Sequence, residues 1–183
     1  VKITPTALEG ALIVDPIVHA DERGWVMESW HQRDFDAAVG QPVRFVQDNQ
    51  SASRRGVLRG LHYQLPPHAQ GKLIRVLQGR IYDVAVDLRR SSQSFGRWIG
   101  IELSAENRRQ LWLPPGLAHG YLVLGDGAEV FYKATAHYAQ GAERCISWND
   151  PTLAIDWPLC GGAPVVSGRD ARAPAYSAAT CFD

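Results

Sequence analysis

Lys72-Leu73-Ile74-Arg75-Val76-Leu77-Gln78-Gly79-Arg80-Ile81-Tyr82-Asp83-Val84-Ala85-Val86-Asp87-Leu88 is the stretch whose reading decides the fold. Apolar residues run through 72–77, Gln78-Gly79-Arg80 reads as a turn, and Tyr82, Val84, Val86 and Leu88 then alternate with Asp83, Ala85, Asp87 and Arg89. A period of two marks a strand with one buried face, so the segment predicts a hairpin. Working outward, residues 98–103, 110–113, 120–124 and 129–135 have the same short apolar character, and Gly125-Asp126-Gly127 reads as a turn. Many short strands separated by Gly, Pro, Asn and Asp indicate an antiparallel sandwich or barrel. Helix is scarce: Asp34 is placed to cap one short turn through 35–39, stopped by Gly40. The Gly-, Pro- and Ala-rich C-terminal third is expected to wrap the barrel as irregular chain.

The 183 residues fit one domain spanning 1–183. Nineteen basic and nineteen acidic residues leave no net charge, whereas a general nucleic-acid or membrane-surface binder needs a basic excess. Cys145, Cys160 and Cys181 are odd in number and widely spaced, so they suggest idle thiols in a reducing compartment rather than a disulfide scaffold. No apolar run approaches membrane-spanning length, and Val1-Lys2-Ile3-Thr4-Pro5 lacks a signal-peptide core. The expected compartment is the cytoplasm. GxGxxG and P-loop patterns are both missing, which argues against a nicotinamide cofactor.

Two segments resemble the paired motifs of the cupin family, which implies a jelly-roll barrel of the cupin type. Gly56-Val57-Leu58-Arg59-Gly60-Leu61-His62-Tyr63-Gln64 keeps the first histidine of the first motif but has Gln64 at the second, and Lys72 stands at the glutamate position. Pro114-Pro115-Gly116-Leu117-Ala118-His119 is similar to the second motif, with Val123 in place of its usual polar ligand. A transition metal wants several imidazole or carboxylate ligands converging on one point. An ammonium and a valine in that set argue against any metal, and leave two histidines, a lysine and an amide.

Further segments narrow the resemblance. They are Asp21-Glu22-Arg23-Gly24-Trp25-Val26-Met27-Glu28, Gln47-Asp48-Asn49-Gln50-Ser51, Gly71-Lys72, Tyr132-Lys133, Trp148-Asn149-Asp150-Pro151 and Ser167-Gly168-Arg169-Asp170. With the His62 and His119 motifs, in this order, they resemble the dTDP-4-dehydrorhamnose 3,5-epimerase family over nearly the whole chain. The resemblance implies an isomerase that inverts C3 and C5 of a dTDP-linked 4-keto-6-deoxyhexose on the route to dTDP-L-rhamnose. Carbons flanking a ketone are acidified because their conjugate base is an enolate, so the reaction needs no cofactor. It needs a base, an acid on the opposite face and a group to hold the enolate oxygen.

By that resemblance His62 is the base, Asp170 its carboxylate partner and Tyr132 the proton donor. Read alone, Tyr132, alternating with Val130 and Ala134, is a core tyrosine with its hydroxyl tied off. Lys72 is implied as the donor to the enolate oxygen and as a substrate contact. Arg23 and Arg59 are implied to grip the diphosphate, since guanidinium forks match phosphate oxygens. Glu28, Gln47, Asn49, His119, Tyr138, Glu143 and Arg169 are the remaining implied substrate contacts. Arg169 stands where many relatives have lysine, and His19 where an aromatic is common. His31, His68 and His137 have no motif support and are expected to face solvent. The resemblance also implies a homodimer with a sheet extended across its interface. Two alternatives stay open: an epimerase of one carbon in a dTDP-4-keto-deoxysugar pathway, and a non-catalytic cupin module that only binds sugar nucleotides. A metal-dependent cupin oxygenase is disfavoured by Gln64, Lys72 and Val123.

Overall fold

The computed structural model describes residues 1–159 and 161–183; Cys160 lies outside the described residues. In chain order the strands are β1 (Lys2–Pro5), β2 (Leu12–Asp15), β3 (Val18–Asp21), β4 (Gly24–Met27), β5 (Gln47–Arg54), β6 (Leu58–Gln64), β7 (Lys72–Asp87), β8 (Trp98–Ser104), β9 (Gln110–Leu113), β10 (Leu117–Ala134) and β11 (Glu143–Cys145). One α-helix, α1 (Gln32–Val39), interrupts them. All strand pairs are antiparallel, and the order β1-β2-β9-β7-β10-β6-β11 carries β8 beside β7 and β5 beside β10. The protein is a cupin-like jelly roll.

The expected hairpin at Gln78-Gly79-Arg80 does not form, and neither does the turn at Gly125-Asp126-Gly127. Residues 72–87 are one strand and residues 117–134 another, paired along their length. Gly79 has φ +74, and a Cβ there would lie 2.0 Å from the Gly127 carbonyl oxygen. The glycine conformation that suits a turn here serves an irregularity facing Gly127, where the β7–β10 register shifts between Val123 and Ala128. The first half of β7 pairs with β9 and the second with β8. On β10, the first half pairs with β6 and the second with β5. Both long strands therefore belong to both walls of the barrel.

These irregularities also switch which residues face inward. The central core takes Ile74 and Val76 before the bulge but Ile81 and Ala85 after it, and from β10 Leu117, Tyr121 and Val123, then Ala128 and Val130. Val84 and Val86, expected to mark the only buried face, pack outside with Leu58, Leu61, Ile146, Leu153 and Trp157 under the C-terminal segment. The second half of β7 is thus covered on both faces, and Asp83 and Asp87 are fully buried. Asp87 accepts from Arg89, Ser92 and Ser94. Although burial pushes its carboxyl up, those donors hold it down at about 2.

Helix α1 covers the outer face of the other wall. Phe35 is its buried residue, and it meets Trp112 at 5.2 Å and Trp30 at 4.7 Å between ring centroids. Such aromatic pairs add about 0.5–1.5 kcal/mol each to their area burial. His31, not Asp34, is the N-cap: its Nδ1 accepts from the Asp34 backbone N–H at 3.3 Å. The chain stops as expected at Gly40, whose φ of +82 suits a residue without Cβ. The C-terminal third is irregular, as read from its composition, and is pinned by Asp150, which accepts from Thr152, Leu153 and Tyr176 backbone N–H groups. Cys145 and Cys181 are free thiols. Among the described residues no helix is long and apolar enough to cross a membrane.

Candidate active site

The site lies between the walls at one end of the barrel. His62 on β6 pairs in register with His119 on β10, so their side chains share a face, and alternation places both inward. Gly60 and Gly120 make this juxtaposition possible. A Cβ on Gly60 would fall 2.5 Å from the Gly120 Cα, and its φ is +129. From β10 Tyr132 also faces inward, packed against the central core, and from β7 Lys72 lies over its ring at 5.8 Å.

Asp170 reaches this end from a 3-10 turn in the C-terminal segment, with its side chain 2% exposed. His62 Nε2 lies 2.6 Å from its Oδ1. Burial pushes the Asp170 carboxyl up, but hydrogen bonding and the charge of His62, with Ser167, outweigh it and hold the carboxyl below its ordinary value. The carboxylate is therefore ionised and accepts the Nε2–H of His62, so that Nδ1 is the ring nitrogen left for other chemistry. The fold thus brings His62 and Asp170 into hydrogen-bond contact.

Tyr132 Oη and Lys72 Nζ make no hydrogen bond or ion pair among the described residues. The tyrosine is therefore not a core residue with its hydroxyl tied off. Burial pushes its hydroxyl upward, helped by Tyr121 and Glu143, so it stays protonated through the neutral range. Burial pushes the Lys72 ammonium down to about 8, against the pull of Asp83 and Glu143. A hydroxyl and an ammonium without a hydrogen-bond partner among the described residues, on the same interior as the His62–Asp170 pair, leave room for a polar ligand.

Around them the structure assembles most of the other predicted contacts. Asn49 pairs in register with Tyr132 and so shares its inward face, and Gln47 bonds Asn49 at 3.0 Å and the Tyr138 backbone N–H at 2.8 Å. Arg59 donates to Ser53 Oγ at 3.0 Å and acts electrostatically on Tyr132. Glu143 accepts from Tyr138 Oη at 2.7 Å and from Arg169. Burial raises its carboxyl, but these two donors win and lower it.

Some predicted residues behave otherwise. Gln64 is not an open amide in the cavity: it donates to the His68 and His137 carbonyls and accepts from the Ala139 N–H, pinning loops. Arg23 is exposed and paired with Asp21 in the β3–β4 hairpin, and Glu28 is exposed beyond it. Neither bonds any other predicted site residue within one chain. His19 is exposed on β3 opposite Val26. His68 and His137 face solvent, whereas His31 is partly buried at its cap.

Sequence reasoning missed Asp83. Its Oδ1 and Oδ2 are each 3.0 Å from His119 Nε2, with both side chains buried. It also missed Ser51, whose hydroxyl meets Tyr121 Oη at 3.0 Å. Of the former cupin ligand positions, Val123 is packed in the apolar core. Among the described residues the one trio able to converge on a cation is Glu28, His31 and Asp34, which includes none of those positions.

Residues 5–178 match the family described as dTDP-4-dehydrorhamnose 3,5-epimerase. A relative of that name from Pseudomonas aeruginosa is 54% identical over 99% of both chains. The solved structure of a dTDP-6-deoxy-D-glucose-3,5-epimerase from Legionella pneumophila, in complex with dTDP-4-keto-L-rhamnose, is 45% identical. It superposes with TM-score 0.92, covering 97% of this chain and 93% of that one. A 3'-monoepimerase from Streptomyces bikiniensis, in complex with dTDP-quinovose, is more distant, at 36% identity and TM-score 0.89 over 94% of this chain and 87% of that one. The chain belongs to the dTDP-4-dehydrorhamnose 3,5-epimerase family.

Proposed function

We propose that the protein is a cofactor-independent epimerase that inverts C3 and C5 of dTDP-4-dehydro-6-deoxy-D-glucose to give dTDP-4-dehydro-L-rhamnose. The observation that carries the reading is the His62–Asp170 hydrogen bond on the same interior as a tyrosine hydroxyl and a lysine ammonium that have no hydrogen-bond partner among the described residues. His62 Nδ1 takes the proton from the carbon beside the ketone, and the electron pair moves onto the C4 oxygen as an enolate. Asp170 stabilises the imidazolium that forms. The Lys72 ammonium donates to the enolate oxygen, an interaction that strengthens as charge develops. Tyr132 Oη returns a proton to the opposite face, which inverts the carbon. Each inversion adds a proton to His62 and removes one from Tyr132, so solvent exchange resets both.

Arg59, Gln47, Asn49, His119, Tyr138, Glu143 and Arg169 ring the base, acid and lysine and supply the donors and acceptors a nucleoside diphosphate needs. Arg23 and Glu28 join them only if a second copy contributes. The β3–β4 hairpin pairs with no other described strand, and Trp25 and Val26 on it are 55% and 67% exposed. A homodimer that extends a sheet across its interface would cover this arm and carry Arg23 to the diphosphate. The chain acts as a single domain, and the cytoplasm is the compartment that supplies such nucleotide sugars.

The one-carbon alternative uses the same base and acid. The greater identity to the 3,5-epimerases supports two carbons. Incubation with the 4-keto substrate in deuterated water, followed by NMR at C3 and C5, tests the reading. Deuterium at both carbons is expected. Label at one carbon only selects the mono-epimerase, and nucleotide binding without any exchange leaves a binding module.

A further inference from the structure

We propose that Asp83 is a positioning residue of this reaction: from the inner face of β7 it fixes His119 and supplies the counter-charge that keeps the Lys72 ammonium protonated beside the substrate ketone. The inference rests on the epimerase reading above.

The geometry begins with the two halves of β7. Ile74 and Val76 face the central core before the bulge, Ile81 and Ala85 after it. Alternation therefore turns Lys72 and Asp83 to the same interior, although the odd spacing of eleven residues would put them on opposite faces of a regular strand. Asp83 has no exposure, and its only described hydrogen-bond partner is His119, through both carboxylate oxygens. A buried carboxylate with one imidazole and no guanidinium is an expensive group to keep in a core. No loop, cap or turn uses it. Its second electrostatic partner is Lys72, which it stabilises in the charged form.

The Lys72 ammonium also lies over the Tyr132 ring from β10 and is acted on by Glu143 from β11, and His119 from β10 and His62 from β6, with its partner Asp170, share the same interior. Glu143 is already engaged by Tyr138 and Arg169. Among the described residues Asp83 is hydrogen-bonded by His119 alone. With Lys72 at about 8 and the Tyr132 hydroxyl raised above its ordinary value, the lysine loses its proton before the tyrosine as pH rises. In this proposal its deprotonation sets the alkaline limb of the rate profile. Without Asp83 burial acts with less opposition and that limb moves to lower pH.

The test compares kcat/KM against pH for the wild type, Asp83→Asn and Asp83→Glu, with thermal melting alongside. Asparagine keeps the shape and an acceptor for His119 but removes the charge. The expected result is an alkaline limb shifted acidward by about one pH unit, with activity near pH 6.5 reduced much less than activity near pH 8. Asp83→Glu is expected to return the limb toward its wild-type position. A uniform loss of rate with the limb unmoved makes Asp83 merely structural and overturns the proposal. If Asp83→Asn does not fold, lysine ε-carbon NMR of the wild type decides. A Lys72 midpoint near 8 supports the counter-charge, and one below about 6, as for lysines buried without a carboxylate, refutes it. An inactive wild type would sink the epimerase reading instead, so the two failures are distinguishable.

Discussion

Asp170→Asn isolates what the carboxylate adds to the base. The side chain is 2% exposed and its Oδ1 is 2.6 Å from His62 Nε2, so asparagine fits the same space and can still accept the Nε2–H. What disappears is the negative charge opposite the imidazolium that forms as the proton leaves carbon. A hydrogen bond to a charged group contributes about 1.5–3 kcal/mol, and about 1.4 kcal/mol corresponds to a tenfold change in rate. Deuterium entry at C3 and at C5 should therefore slow together by roughly 10- to 150-fold. Burial from water favours the upper end of that range, because no solvent replaces the lost partner. Asp170 touches His62 rather than substrate, so kcat should carry the loss while KM stays within about twofold. The assay is NMR exchange in deuterated water under saturating substrate, with a melting curve to verify the fold. Rates at both carbons within about threefold of wild type would refute the reasoning. A loss at only one carbon would mean that His62 does not serve both.

Two other outcomes follow from the same geometry. Tyr132→Phe should keep exchange at the acidified carbons while losing net inversion, because His62 can return a solvent proton to its own face; NMR that separates label from product configuration checks this, and normal epimerisation removes Tyr132 from the acid role. Gly60→Ala should cost more than about 3 kcal/mol of stability in denaturant unfolding, since the new methyl would sit 2.5 Å from the Gly120 Cα on a backbone at φ +129. A variant as stable as wild type would mean that the two strands separate freely.

The period-two alternation made the all-β class readable, and β7, β8, β9 and β10 fell where it put strands, whereas β1 to β6 and β11 were not singled out. The continuity of β7 and β10 was not readable, because a glycine at positive φ serves a turn and a bulge equally well and only the partner strand decides which. The same ambiguity hid Asp83. Alternating with Val84 and Val86, it looked like the wet side of a half-buried strand, whereas C-terminal chain covers those valines and turns Asp83 inward. His62, Lys72 and Tyr132 could be named because they sit in motifs of fixed spacing. Asp170 could be named too, but its 108-residue separation from His62 meant that only the folded chain could place it there. Gln64 shows the converse, a former ligand position whose amide the fold spends on two loops.

The irregular stretch between Val76 and Gly79, where the β7–β10 register shifts again between Glu129 and Val130, has a consequence for how this chain tolerates insertion and loss. Removing a single residue there would leave two long strands with most of their ladder intact. Yet it would exchange the directions of everything downstream, so that Val84 and Val86 entered the cavity while Asp83 and Ala85 left it. Length changes of one residue in this stretch are thus far more damaging than most replacements of its side chains. A descendant of this protein can repaint the cavity wall freely, but it cannot change the count of residues between Lys72 and Asp83 by one and keep both groups pointing at the same molecule.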